Sequence, residues 1–402
     1  MNKNTTKAKF IMSAAAALHR YGTSSDKIER AARLISEKLG LTAEFMSTPT
    51  SLIANFDFKD QPEYTSILRM DPGKINLEKL CSADRVVDLV LDSEMDIEAG
   101  ERELNDIISR PPLFSNLLVN VAISALAFSA AIFLKGSLLD AFFCGIISLV
   151  ISVCTQSIKQ EKISTIAEAL IAFALSFTAL SIHKLGIHIF PPVAILASLL
   201  FYLPGLMFTM AIHELSSDNL QAGTARLTGA LIILLKLAFG TYLGSEFSAY
   251  LFGTSNYIAP IPLGLPYQIL SIFLVSLAFS VSFQAEVKNF IWIVIGCFAS
   301  FYSAVLLQDT IGVIPSAFVG GLIVGCGSNL FSIVFQRPAM VLSLPMIILL
   351  VPGSVGYQGL SFFFEENPLD AISTIFKTIS IGMALVAGSF FGNLIIPPKR
   401  AL

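Results

Sequence analysis

Charge is scarce in this chain. Of 402 residues only 14% are Asp, Glu, Lys or Arg, where a soluble globular protein carries about 25%. The shortage is uneven: 33 of the 55 charged residues fall in residues 1–112, and the other 22 are spread over the following 290. The first part therefore reads as a soluble domain and the rest as lipid-embedded. Cysteine is also sparse. The five present (Cys81, Cys144, Cys154, Cys297 and Cys326) show no C-x-x-C and no disulfide spacing. Four of them lie in apolar runs, where cysteine fills space. There is no G-x-x-x-x-G-K-[ST], no H-E-x-x-H and no G-x-S-x-G, so ATP hydrolysis, catalytic zinc and a nucleophile elbow lack their usual marks. No cofactor is expected. A net charge of −3 gives no sign of nucleic-acid binding. The opening Met-Asn-Lys-Asn-Thr-Thr-Lys has no signal-peptide core, so secretion of the soluble domain by a cleaved signal is not expected.

What is present divides cleanly. Residues 5–20 carry Phe10, Ile11, Ala14 and Leu18 on one helical face, and Gly22 breaks that helix. Thr23-x-x-Asp26 reads as a capping box opening a second helix, closed by Gly40. Residues 41–70 hold β-type segments around 52–54 and 64–68, and polar helices follow near 76–93 and 96–109. Arg110-Pro111-Pro112 is a hinge. Residues 1–112 thus form a small α+β domain.

Ten apolar segments follow, near 113–134, 138–158, 163–182, 189–212, 224–246, 264–283, 289–307, 311–335, 339–357 and 371–396. Most approach the roughly 20 residues a helix needs to cross the hydrocarbon core. With the soluble domain cytoplasmic, the inner loops and tail carry Lys159, Lys162, Arg226, Lys288, Arg337, Lys399 and Arg400. The outer loops carry only Lys135 and Lys184, as the positive-inside rule requires. The outer loop 365–370 is acidic (Glu365, Glu366, Asp370), and Tyr250, Phe252 and Tyr257 fall where an outer aromatic belt belongs.

Two Pro-Gly pairs, Pro204-Gly205 and Pro352-Gly353, lie 148 residues apart, and Gly240 matches Gly388 and Gly244 matches Gly392 at the same offset. This predicts two five-helix repeats, 113–247 and 248–402. An odd number of spans makes them inverted, a hallmark of secondary transporters. A helix broken at Pro-Gly presents free carbonyls on one side and free N–H groups on the other, which suits a zwitterion. A packing kink without a ligand explains one pair equally well. Lys236, in mid-span, costs about 3 kcal/mol even on insertion scales and needs compensation; Glu168 in the third span is a candidate partner. His213-Glu214 follows the first break; it is a candidate gate or proton carrier, although a solvated helix end is the commoner explanation. In the soluble domain His19, Ser24, Ser25, Asp26 and Glu29 cluster around a turn. Capping explains most of them better than hydrolysis.

The run Ala17-Leu18-His19-Arg20-Tyr21-Gly22-Thr23-Ser24-Ser25-Asp26-Lys27-Ile28-Glu29-Arg30, with Leu39-Gly40-Leu41, resembles the N-terminal signature of the threonine/serine exporters. Ile75 to Leu80, Glu98-Ala99 and Leu104 are also similar, as is Leu203-Pro204-Gly205 through Gly223, Arg226-Leu227, Gly240 and Gly244. The resemblance covers nearly the whole chain in one polypeptide; some family members split the two halves between chains. It implies ten membrane helices, a cytoplasmic N-terminal domain, and export of L-threonine and L-serine driven by the proton motive force. The second repeat departs after Pro352-Gly353, running Ser354-Val355-Gly356-Tyr357 and turning aromatic and acidic at 362–366, which bears on the substrate.

The expectation is therefore a proton-coupled exporter in the inner (plasma) membrane, with its N-terminal domain and C-terminus cytoplasmic and with the lipid bilayer, protons, L-threonine and L-serine as partners. Whether it forms a homo-oligomer is left open. The pathway candidates are Pro204, Gly205, Pro352, Gly353, Lys236, Glu168, His213, Glu214 and Arg226; the cytoplasmic-domain motif is His19, Gly22, Ser25 and Glu29. The alternatives are an exporter of another small metabolite (a dipeptide or organic acid) and a membrane-anchored hydrolase or sensor.

Overall fold

A computed structural model describes residues 3–58, 62–71, 73–157, 166–254, 256–350, 353–364 and 368–398. Pro352, Lys159, Lys162, Glu365, Glu366, Lys399 and Arg400 lie outside the described residues. The soluble domain comprises α1 (Lys3–Arg20), α2 (Ser25–Lys38), β1 (Thr42–Thr48), β2 (Ser51–Asp57), β3 (Tyr64–Arg69), α3 (Leu77–Leu91) and α4 (Ile97–Ser109). The strands form one antiparallel sheet in the order β1-β2-β3, with Phe45 opposite Ala54 and Leu52 opposite Leu68. In β2 the alternate residues Leu52, Ala54 and Phe56 are buried, the period-2 pattern of a half-covered strand. They pack with Phe10, Ile11 and Leu18 of α1 and Leu104 and Ile107 of α4. Asn76 caps α3 and Asp96 caps α4 through side-chain oxygens, satisfying donors that the first turn leaves free.

The expected capping box at Thr23 does not form. Ser24 is the N-cap of α2 and makes no side-chain cap bond. The free Ser25 amide donates instead to the Glu214 carboxylate, 189 residues away, at 2.9 Å. A membrane helix therefore supplies the cap, which local spacing cannot reveal.

The membrane region continues with α5 (Asn116–Phe133), α6 (Leu138–Ser157), α7 (Ala167–Lys184), α8 (Pro191–Leu199), α9 (Gly205–Ser216), α10 (Leu220–Phe252), α11 (Leu265–Ser282), α12 (Phe290–Ile311), α13 (Val313–Phe335), α14 (Met340–Leu350), α15 (Gly353–Phe364) and α16 (Pro368–Ile395). Among the described residues nine helical stretches are long and apolar enough to cross a bilayer, or ten if one bent pair counts as a span. The protein is thus a multi-span membrane protein with a small mixed domain at its N-terminal end. The apolar segment expected as one span at 189–212 is that bent pair: α8, with a 3-10 turn at Leu200–Tyr202, meets α9 at 57°. The segment expected at 224–246 is longer, with α10 spanning 33 residues, about 50 Å of helix.

Two pairs of helices cross closely. α7 packs on α10 and α13 packs on α16. At Gly240 an added Cβ would lie 2.2 Å from the Ala169 carbonyl oxygen, and at Gly388 it would lie 2.0 Å from that of Phe318. Only glycine permits backbones to approach this far, as in small-residue membrane crossings. The soluble domain docks on the second half of the membrane region. The Leu77 and Glu78 amides donate to the Phe283 and Gln284 carbonyls at 2.9 and 3.0 Å. Gln284 also accepts from the Phe114 amide at 2.7 Å, pinning the chain just beyond the Arg110-Pro111-Pro112 hinge. One apolar cluster runs from Leu77 and Leu80 to Ile293, Val324 and Met346.

Candidate functional site

The first break and the start of α15 meet in the interior. Leu203 is extended, Pro204 stands as the N-cap of α9, and Gly205 opens that helix. A Cβ added at Gly353, the first residue of α15, would lie 3.3 Å from the Gly205 Cα and 3.7 Å from the Leu203 Cβ. Two helix N-termini, those of α9 and α15, therefore converge. Their first-turn amides lack intrahelical partners, which makes such ends receptive to negative charge.

Two cavities flank this meeting point. The first, about 310 Å³, is lined by the opening turns of α8, by Ser176 of α7, by Thr241, Tyr242 and Ser245 of α10, by Tyr257, and by Tyr357 and Gln358 of α15. The second, about 110 Å³, is lined by Thr209, Met210 and His213 of α9, by Ser343 and its neighbours on α14, by Ser389 and Asn393 of α16, and by Gly22, Ser24 and Lys27 of the soluble domain. Their linings correspond at a separation of 148 residues: Pro191 with Ala339, Ile195 with Ser343, Thr241 with Ser389, Ser245 with Asn393, and Thr209 with Tyr357. The first cavity uses α8, before the first break, and α15, after the second. The second uses α9 and α14, the complementary halves.

The cavities differ in charge. No charged residue lines the first, where the Tyr357 hydroxyl and the Thr241 hydroxyl lie 2.6 Å apart. The second holds Lys27 and His213 and no acid.

Beside the second cavity a polar network fastens the soluble domain to the membrane helices. Glu214 is fully buried and accepts from the Ser25 amide at 2.9 Å and from the Arg226 guanidinium Nε at 2.9 and 3.0 Å. The guanidinium and the N-terminus of α2 together offset its charge. The solvated helix end expected for His213-Glu214 is therefore not what the structure contains. His213 Nδ1 lies 3.6 Å from an Asp26 carboxylate oxygen.

His19 Nε2 lies 3.1 Å from the Thr48 carbonyl oxygen, and Glu29 accepts from the Ser47 amide at 2.7 Å. Both tie α1 and α2 to β1. Burial pushes the His19 pKa down and that of Glu29 up, each partly offset by its backbone hydrogen bond. Gly22 has a φ of +93°, and its added Cβ would press on Ile75 at 3.1 Å; it makes the turn that glycine alone adopts without strain. His19, Ser25 and Glu29 thus face backbone groups and a membrane carboxylate rather than one another.

The structure brings Ser25, Glu214 and Arg226 together, and His213 with Asp26. It pairs Lys236 with Glu168 at 3.6 Å across the α7–α10 crossing. That pair lies level with the first turn of α7 and lines neither cavity. Lys27, Thr209, Thr241, Tyr357 and Ser389 were not among the sequence candidates. The signal for four of them was present: they stand at equal offsets in the two halves, which glycine and proline alone had been used to find. Lys27 carried no signal, because its place depends on how the domain docks.

A family model described as "Putative threonine/serine exporter" matches residues 9–248, and one described as "Threonine/Serine exporter, ThrE" matches residues 268–395. Among curated proteins, an uncharacterized protein of Schizosaccharomyces pombe is 22% identical over 367 residues, covering 88% of this chain and 44% of its own length. Pheromone-regulated membrane protein 10 of Debaryomyces hansenii is 27% identical over 368 residues, covering 87% of this chain and 36% of its own. Its namesake in Candida albicans is 26% identical over 386 residues, with 91% and 34% covered. The chain spans less than half the length of these relatives. No solved structure matches it.

Proposed function

The chain belongs to the threonine/serine exporter family, and on that premise we propose that it is a secondary active transporter exporting L-threonine and L-serine in exchange for protons. Its membrane region works as two inverted five-helix repeats, 113–247 and 248–402, in the inner (plasma) membrane. The soluble domain, residues 1–112, and the C-terminus face the cytoplasm, an orientation supported by the bias of lysine and arginine among the loops.

One observation carries this reading. Two cavities with linings 148 residues apart flank the contact between Gly205 and Gly353, each using the complementary half of each broken helix. Alternating access needs a site at the repeat interface that two such chambers reach in turn. The hydroxyls of Ser176, Thr241 and Ser245 in one, and of Thr209, Ser343 and Ser389 in the other, suit a small polar substrate. The paired Lys236 and Glu168, and His213 with Asp26, are the candidates for proton exchange. A hydrolase reading has less support, because His19 and Glu29 are engaged with backbone groups.

The test is efflux of labelled threonine and serine from loaded proteoliposomes with and without a pH gradient. Efflux accelerated by the gradient is the expected result. Retention of both amino acids under every gradient would overturn the assignment.

A further inference from the structure

The second cavity contains an ammonium group and nothing to neutralise it. Lys27 reaches it from the first turn of α2, and none of the lining residues is acidic. Asp26, its neighbour in sequence, is directed to His213 at 3.6 Å and to Arg30 at 4.0 Å. No hydrogen bond or ion pair joins the Lys27 ammonium to any described residue. Burial pushes its pKa down from the usual lysine value, with Asp26 acting weakly the other way. An ammonium in such a setting is costly unless an anion joins it. The walls offer hydroxyls from Thr209, Ser343 and Ser389. The volume, about 110 Å³, exceeds what a few waters need and suits a small organic molecule.

We propose that Lys27 supplies the positive charge of a carboxylate-binding site in the second cavity, so that the soluble domain and the membrane helices hold the carboxylate of a small hydroxy acid or amino acid jointly. The proposal rests on reading the two cavities as the transport chambers. The repeat builds two similar pockets, and the soluble domain makes only one of them electropositive. A carboxylate entering from the soluble-domain side meets a charge-assisted hydrogen bond that the first cavity does not reproduce. Binding is therefore tighter on one side than on the other, and release is easier from the neutral chamber.

The experiment follows the thermal unfolding of the purified full-length chain with four probes: L-threonine, L-serine, 2-hydroxybutyrate (carboxylate without amine) and threoninol (amine without carboxylate). The acids are expected to raise the unfolding temperature and threoninol is not. Lys27→Met is expected to weaken the acids by about tenfold or more, the loss of one charge-assisted bond, while Lys27→Arg stays within a few-fold of the parent. Unliganded Lys27→Met should unfold no lower than the parent, since it removes an uncompensated charge; Lys27→Gln serves as a second neutral variant should Met fold poorly. Equal stabilisation by threoninol and the acids, unchanged responses in both neutral variants, or no response to any acid overturns the site. If acids bind through Lys27 but threonine is not exported, the transport assignment fails and the site stands. If threonine is exported with an unchanged KM in Lys27→Met, the site fails and the transport assignment stands.

Discussion

The two cavities share their walls by position and differ in what closes them. In the first, loop residue Tyr257 and the exposed Gln358 leave a neutral, hydroxyl-rich chamber. In the second, α2 of the soluble domain brings Lys27 and Ser24 against positions that match the first chamber 148 residues away. Internal repetition explains the shape of both pockets and the way broken halves are exchanged between them. It does not explain the charge, which comes from outside the repeat. The difference teaches that an internally repeated membrane scaffold acquires direction by docking a non-repeated domain on one face.

The strongest way to break the comparison is to undock that domain. Arg226→Met strands the fully buried Glu214 beside the Ser25 amide. Breaking a buried pair costs about 3–5 kcal/mol, so residues 1–112 should become sensitive to proteolysis at their junction with α5 while the membrane helices persist. Limited proteolysis of the parent and variant checks this. Unchanged resistance would mean that the network does not hold the domain.

A second test addresses the repetition itself. Gly240→Val and Gly388→Val each force a side chain against a carbonyl oxygen at matching crossings. Overpacking costs roughly 1–3 kcal/mol, and the two variants should be destabilised alike in detergent melts. A large cost in one and none in the other would separate the two halves.

Lys236→Met removes the ammonium that pairs with Glu168 across the same crossing in the first half. The variant should insert and express normally and lose most efflux, about tenfold, in loaded vesicles. Normal efflux would remove the pair from the pathway; loss of protein from the membrane would make it structural.

The smallest effect concerns pH. Burial holds the His19 pKa below its ordinary 6.5. The neutral form is thus preferred in the folded domain, and the stability it contributes is present above 6.5 and lost as pH falls through the folded value. The slope is at most about 1.4 kcal/mol per pH unit for one group. Glu29, raised by burial, works in the opposite direction, so the His19→Gln difference isolates the histidine. Melts between pH 7.5 and 5.5 should fall for the parent and flatten for His19→Gln.

Much of the architecture was legible because it is written in periodic apolar runs and in glycine and proline at fixed offsets. The α+β domain, the helix-length spans and the break at Pro204-Gly205 all follow from local pattern. The 57° bend of α8 against α9 was readable as a break, although the apolar count made it one segment. What sequence could not give was tertiary: the Glu214 carboxylate that caps α2 comes from 189 residues away. The same docking turns His213-Glu214 from an expected solvated end into a buried junction. Lys27 looked like an ordinary first-turn residue because its cavity exists only between two regions. Tyr357 and Thr241, 116 residues apart, meet only once the α10 and α15 helices pack.

The central claim is that the two cavities are opposite chambers of one pathway. It is tested most directly by the accessibility of two engineered cysteines, Thr241→Cys in the first cavity and Ser389→Cys in the second, in a background where the five native cysteines are replaced by serine. Reaction with an impermeant thiol reagent would be measured from each face of the membrane, with and without threonine and a pH gradient. The account predicts that each position is reached from one face only and that conditions raising reactivity at one lower it at the other. Reactivity of both positions from the same face, or changes in the same direction at both, would contradict it.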